Sequence, residues 1–235
     1  MAISVEPSAW PGILLAYEAV ALTLLQTVFS RRRFLKNAAG GDLPAVRSYF
    51  LAVFTFGLAV PLTAVFGLAA DPLAVFRAVG LGAGNVRPGL ILAAAGIPAA
   101  LAAGAIGSGD PRLRDFYPFA KGALASRRTF IGYELGYFLF YYTAWEFIFR
   151  GVLFFPIAAS AGLLPALAVS TIASTLFHIG HPETELYAAL GAGFVFGLAA
   201  WGAGSFLYVI PIHAAVGIAT DAFIYRRAAR ERSSR

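Results

Sequence analysis

The chain has 235 residues, of which 59% are apolar and only 13% are charged, and its formal net charge is +6. A water-soluble domain carries about 25% charged residues, so this composition excludes an ordinary soluble domain, and the apolar content excludes a disordered chain. The absence of cysteine excludes a disulfide-stapled secreted fold and an iron–sulfur protein.

Apolar segments of membrane-spanning length recur along the chain. An α-helix needs about 20 mainly apolar residues to cross a bilayer. The candidate spans are residues 13–30, 49–70, 89–106, 130–160, 165–178, 186–201 and 206–225. The sequence therefore predicts an all-α, polytopic membrane bundle of about seven transmembrane helices.

Basic residues concentrate in three segments that would all lie on the same side of a seven-span bundle. They are Arg31, Arg32, Arg33, Lys36 and Arg47; Arg112, Arg114, Lys121, Arg127 and Arg128; and Arg226, Arg227, Arg230, Arg232 and Arg235. Because basic loops stay in the cytoplasm, we predict a multi-pass protein of the cell membrane with its N-terminus outside and its C-terminus in the cytoplasm. This orientation pattern accounts for the positive charge, so no nucleic-acid partner is expected, and the basic loops are also expected to contact anionic lipid.

Two shorter patterns predict local structure. Phe116, Tyr117 and Phe119 lie beside Lys121, which indicates a short helix at the membrane interface. Gly191, Gly193 and Gly197 lie in the sixth span, and small residues at such spacing favour close approach between helices.

Ionisable residues lie inside the predicted spans, where a charge costs roughly 3 kcal/mol on insertion scales. They are Glu18, Glu134, Glu146, Arg150, His178, His213 and Asp221. Such residues usually face the bundle interior and mark function. Most of them fall within residues 129–225, which we predict to be the functional core, with N-terminal helices at 1–128 and a basic tail at 226–235.

Counting along the helices predicts which of these residues meet. Glu146 and Arg150 are four residues apart and can pair on one helix face. A hairpin turn near Gly162 would leave Glu146 sixteen residues before it and His178 sixteen after it, both about 24 Å below the turn. The count predicts a carboxylate and an imidazole at one depth, with His213 starting at a shallower level.

Three motifs along these spans resemble those of one protein family. The segment 145–151 reads WEFIFRG and is similar to EExxxRG; the segment 176–180 reads LFHIG; and the segment 211–215 reads PIHAA. Their order and spacing over residues 130–225 resemble the CAAX protease and bacteriocin-processing (CPBP) family of intramembrane proteases. The resemblance implies a CPBP-like core in the last four helices.

The motifs also depart from the family's usual pattern. Trp145 stands where the family usually has a first glutamate, which is thought to activate water. The second motif usually reads FxxxH, and both His178 and His181 can be its histidine; we prefer His178. The third motif often reads HxxxN or HxxxD, whereas the fourth position here is Gly217 and the next acid is Asp221. This combination resembles a variant branch of the family.

In that variant branch, His181, Pro182 and Glu185 form part of the site rim. Glu183 and Glu185 also suit the first turn of a helix that begins after Pro182, without any further role. The sequence leaves both interpretations open for Glu185.

The resemblance implies that the chain hydrolyses a peptide bond in a membrane-associated protein. Glu146 and His178 would polarise a water, His213 would stabilise the oxyanion, Asp221 would fix the His213 tautomer, and Arg150 would orient Glu146. No cofactor is certain; the alternative is a divalent metal such as zinc held by His178, His213 and a carboxylate. Two other functions stay open: a non-catalytic relative that binds a partner in an immunity-type role, and a small transporter with a charge relay.

Overall fold

The structure, a computed structural model, describes residues 4–234. Over these residues it is built from helices, short turns and loops, with one isolated bridge between Val5 and Ala69 and no β-strand. Residues 1–3 and Arg235, the last residue of the predicted basic tail, lie outside the described part of the chain.

The N-terminal half of the described chain forms three membrane-span helices and three short helices. They are α1 (Trp10–Gln26), α2 (Arg31–Lys36), α3 (Asp42–Leu68), α4 (Pro72–Ala78), α5 (Val86–Gly107) and α6 (Pro111–Phe116). Proline stands in the first turn of α4 and α6, after an aspartate whose side chain accepts a backbone N–H of the helix. Both features favour a helix start.

The C-terminal half forms four helices that follow a 3-10 turn at Lys121–Ala125. They are α7 (Arg127–Ala161), α8 (Leu163–Leu176), α9 (Glu183–Ala203) and α10 (Val209–Ser233). Gly162 separates α7 from α8 with a φ of 93°, a left-handed conformation that glycine adopts readily, and the predicted hairpin turn is therefore confirmed. Helix α10 continues through the region predicted as a basic tail.

The predicted polytopic helical bundle is confirmed. Each of the seven predicted spans overlaps a helix, and five helical segments within residues 4–234 are long and apolar enough to cross a membrane. Of the other two, α8 is apolar but shorter, and α10 carries acidic and basic residues from Asp221 onward. The chain is a multi-pass integral membrane protein, and the orientation of its termini stays a prediction.

Acidic and basic side chains inside the spans turn toward the bundle interior, as expected from the cost of a charge in lipid. The exposed fraction is 0% for Glu18, Glu146 and Asp221, 3% for Arg150 and 8% for Glu134. Large apolar side chains instead remain exposed along the outer surface of most helices. This distribution is the reverse of a soluble protein's and fits a bundle surrounded by lipid.

Close helix contacts position the last helix. A Cβ atom added at Gly89 would overlap the Tyr208 ring, and one added at Gly104 would overlap the backbone carbonyl of Val216. Helices α5 and α10 therefore pack almost backbone to backbone, as small residues allow in membranes. This contact fixes the height and rotation of His213 in the bundle.

The predicted close approach of the sixth span is confirmed at two of its three glycines. A Cβ at Gly193 would lie 3.0 Å from Thr171, and one at Gly197 would lie 2.7 Å from Leu167, both on α8. Nothing lies within 4 Å of such an atom at Gly191.

Gly104→Ala should destabilise the protein by about 1–3 kcal/mol, since the added methyl group forces α5 away from α10. Gly191→Ala is the matched control, and it should leave stability unchanged or raise it slightly through helix propensity. Unfolding in mixed detergent micelles measures both changes. Equal effects of the two substitutions would contradict the packing described for α5 and α10.

Candidate active site

Wide helical turns surround Glu146 in the middle of α7. The segments Tyr137–Tyr142 and Phe147–Val152 have π-helical hydrogen bonding. Such turns are rare and are frequently found at functional sites. Glu146 and Arg150 are both buried here, so the helix carries a charged pair through the most enclosed part of the bundle.

The Glu146 carboxylate lies between two positively charged or ionisable groups. Its Oε2 is 3.5 Å from Nε of Arg150, and its Oε1 is 2.5 Å from Nδ1 of His213. The pairing of Glu146 with Arg150 is the one predicted from their spacing. A carboxylate beside a guanidinium accepts hydrogen bonds rather than donating them, so the Nδ1 of His213 carries the proton.

The imidazole that meets Glu146 is His213 and not His178, which corrects the depth argument. That argument assumed that the last span begins at the outer surface, which would leave His213 shallow. In the structure Phe206 and Val209 are buried, and the backbone N–H of Phe206 donates to the carbonyl of Gly80 in the loop between α4 and α5. Other parts of the bundle thus enclose the start of α10, and His213, one turn further along, reaches Glu146.

A cavity of about 470 Å³ opens beside this pair. Its lining includes Arg150, His178 and His213. Among the described residues that line the cavity, Glu146 is not included. It can therefore influence the cavity only through its contacts with His213 and Arg150. The lining is otherwise mainly apolar and aromatic, which is typical of a ligand pocket with few polar groups.

His178 faces the same cavity from the end of α8. Its Nδ1 is 2.8 Å from the carbonyl oxygen of Ser174 and must donate to it. The lone pair of a neutral His178 ring is therefore on Nε2, which lies 3.8 Å from Oε1 of Glu185.

Helices α7 and α8 are held together nearby because the Ser170 hydroxyl donates a 2.8 Å hydrogen bond to the carbonyl of Phe149.

Glu185 is a cavity residue whose role the sequence left open. Its Oε1 is 2.9 Å from Nδ1 of His181 and accepts a 2.5 Å hydrogen bond from the Tyr117 hydroxyl. The lining includes His181, Glu185 and Tyr117 as well as His178. Only the combination of Pro182 and the motif histidines pointed to Glu185, because an acid in the first turn of a helix is common for reasons of helix stability alone.

The loop from α6 to α7 folds inward rather than resting on lipid headgroups. A short helix, α6, forms close to where it was predicted, but Tyr117 and Phe119 are only 8% and 6% exposed. Burial and the nearby Glu185 raise the pKa of Tyr117 well above its usual value, so its hydroxyl is available as a donor. The predicted interfacial position is therefore wrong for these rings, which pack against His181.

Asp110, just before α6, fastens the segment between α5 and α7 to α9. Its carboxylate accepts the backbone N–H of Arg112 and the hydroxyl of Thr184, at 2.9 Å each. These two hydrogen bonds hold the pKa of Asp110 below its usual value. The loop thereby closes one side of the cavity next to Glu185.

Asp221 lies away from the ring whose tautomer it was predicted to fix. The Nδ1 of His213 already faces Glu146, and both side-chain oxygens of Asp221 are buried without a hydrogen-bond partner among the described residues. Counting residues placed Asp221 two turns beyond His213 but could not show which neighbour would face it.

Tyr142 occupies the space beside the position where the third motif usually carries Asn or Asp. A Cβ atom at Gly217 would overlap the Tyr142 hydroxyl. The Tyr142 ring packs edge-on against His213 with centroids 4.8 Å apart and lines the cavity. The Tyr142 hydroxyl, a hydrogen-bond donor, therefore occupies the space that the absent side chain of Gly217 leaves free.

Trp145 is buried at 4% exposure and stacks on Phe149, with ring centroids 5.3 Å apart and an interplanar angle of 13°. Its ring also borders the cavity. The side chain that replaces the first glutamate of the motif thus forms an apolar wall.

The fold and this interior define the class: a helical, multi-pass membrane protein with a polar cluster at a cavity inside the bundle. Residues 128–219 match the family described as type II CAAX prenyl endopeptidase Rce1-like. The match covers less than half of the chain, and it identifies this segment as a domain of a CAAX protease family, which confirms the resemblance seen in the motifs. No curated protein and no solved structure matches the chain.

Arg150→Met should destabilise the protein by about 3–5 kcal/mol, because it leaves Glu146 as a buried charge without its guanidinium. Adding Glu146→Gln should restore part of that loss, since the unpaired charge is then removed. Unfolding in mixed detergent micelles measures the free energies. Arg112→Met, at an exposed salt bridge, is the control and should change stability by less than about 1 kcal/mol. A double variant as unstable as the sum of its two single variants would contradict the pairing.

Proposed function

We propose that this chain is an intramembrane endopeptidase that hydrolyses a peptide bond of a membrane-associated protein. The observation that carries the proposal is the hydrogen bond from His213 to the buried Glu146, with the same histidine facing a cavity inside a CAAX protease-type domain. The Glu146 carboxylate accepts a hydrogen bond from Nδ1–H of His213, so the lone pair of the ring is on Nε2, where it can act as a base. Hydrolases use this arrangement to activate a nucleophile.

In the proposed reaction, Nε2 of His213 removes a proton from water in the cavity. The water oxygen attacks the carbonyl carbon of the substrate and forms a tetrahedral intermediate. The C–N bond then breaks, and His213 returns the proton to the leaving amine. Glu146 acts as a positioning residue, because it holds the imidazole and stabilises the imidazolium without touching the substrate.

The oxyanion of the intermediate requires donors on the cavity wall. Arg150 is a permanently charged donor that lines the cavity, and the Tyr142 hydroxyl lies beside His213. This assignment moves the oxyanion role from His213, whose Nε2 carries a lone pair, to Arg150 and Tyr142. His178 faces the same cavity and would bind the water or the substrate carbonyl group.

The lining supports a substrate that enters from the membrane. Aromatic and small apolar residues form most of the cavity wall, and its ionisable residues are Arg150, His178, His181, His213, Glu185 and several tyrosines. A peptide next to a lipid-embedded segment matches such a wall better than a freely soluble peptide does. The substrate name in the family description, a CAAX prenyl protein, is consistent with this class.

A non-catalytic binding role is the second candidate, and Trp145 is the observation that favours it. The first glutamate of the related motif is replaced by an apolar ring that lies against Phe149. If water activation required that glutamate, the chain would bind a membrane peptide without cleaving it. The following experiment separates the two functions.

Glu146→Gln and His213→Gln should each lower cleavage at least 100-fold, because general base catalysis contributes about 10²–10⁴ to a rate. Cells that produce the wild-type chain should accumulate new N- and C-termini in membrane proteins, and cells that produce either variant should lack them. Mass spectrometry of terminal peptides from isolated membranes measures this difference.

Glu18→Gln is the matched control, because Glu18 is also a fully buried carboxyl group in a span but does not line the cavity. It should leave the new termini unchanged. Thermal unfolding in detergent verifies that each variant folds. If wild-type and Glu146→Gln cells show the same termini while both proteins fold, the binding role is favoured and the endopeptidase proposal is wrong.

A further inference from the structure

Three donor residues meet on the wall of the cavity that His213 also lines. One ligand atom from each of His178, His181 and Glu185 lies within 4.8 Å of the others. Two imidazoles and one carboxylate form a donor set found in zinc sites, and imidazole also suits other late first-row cations. We propose that these three residues form a binding site for a divalent transition-metal cation such as Zn²⁺.

Neighbouring groups already orient the ligands. The Ser174 carbonyl accepts Nδ1–H of His178 and leaves Nε2 directed toward Glu185, 3.8 Å away. The Tyr117 hydroxyl donates to Glu185 from the loop before α7. Metal sites depend on such partners to hold their ligands, because the partners fix the ring tautomer and the direction of the lone pair.

The carboxylate of Glu185 also has spare acceptor capacity. Its Oε2 is buried and has no hydrogen-bond partner among the described residues, although buried polar atoms are usually satisfied. Its Oε1 faces Nδ1 of His181 at 2.9 Å. A cation between the three side chains would use the free oxygen and the imidazole lone pairs together.

This site differs from the metal site predicted from the sequence. That prediction combined His178 with His213, whereas the ligand atoms that lie together among the described residues are those of His178, His181 and Glu185. In the proposed site His181 and Glu185 replace His213, and three protein ligands leave at least one coordination position open toward the cavity. The cation would join the end of α8 to the start of α9.

Metal binding to the purified full-length chain tests the proposal without any assay of proteolysis. The protein in lipid nanodiscs is stripped with a chelator and titrated with ZnCl₂ by calorimetry. We expect one ion per chain in the wild type, and at least a tenfold loss of affinity in His181→Gln and in Glu185→Gln. Bound Co²⁺ should show visible absorption bands that both variants lose.

Two controls keep the test specific. Glu183→Gln removes an exposed carboxylate from the same helical turn, and His213→Gln removes an imidazole of the cavity outside the proposed ligand set; both should bind Zn²⁺ like the wild type. Thermal unfolding of the metal-free proteins verifies that each variant is folded.

Equal binding by the wild type and the two ligand variants would overturn the proposal, and so would no binding to the wild type at all. A loss in His213→Gln as large as in Glu185→Gln would also overturn it, because the ligand set would then be wrong. Failure of the endopeptidase proposal leaves this test intact, since it measures bound metal and not cleavage.

Discussion

A buried carboxylate is the constraint on which the rest of the structure depends. Glu146 has no exposed surface, and a lone charge in the interior of a membrane bundle would be strongly unfavourable. Arg150 one helical turn away and His213 on the last helix satisfy it. The close packing of α10 on α5 holds His213 at that position. The pairing of one carboxylate thus joins α7 to α10.

Two polar clusters that differ in chemistry lie at the cavity. In the first, a carboxylate and a guanidinium support a histidine, which suits proton transfer. In the second, His178, His181 and Glu185 offer lone pairs that suit a cation. The loop that carries Tyr117 contacts the second cluster, and Asp110, just before α6, ties this part of the chain to α9 through Thr184. A segment outside the matched family region thus contributes directly to the cavity.

Sequence patterns predicted the features that depend on local spacing. The turn at Gly162, the pair of Glu146 with Arg150 and the close approach at Gly193 follow from helix periodicity and residue size. Features that depend on where a helix begins in space were missed. His213 was expected too near the surface because the start of α10 is buried, which hydropathy does not show. Glu185 was left open because its partner Tyr117 comes from a loop 68 residues earlier in the chain.

The most direct test of the central claim is a double-variant cycle on the cleavage rate of a membrane protein cut by the wild-type chain. If Glu146 works through His213, each single substitution to glutamine removes the same function. The Glu146→Gln/His213→Gln double variant should then be about as slow as the slower single variant. Losses that multiply in the double variant would show that the two residues act independently, and would contradict the account.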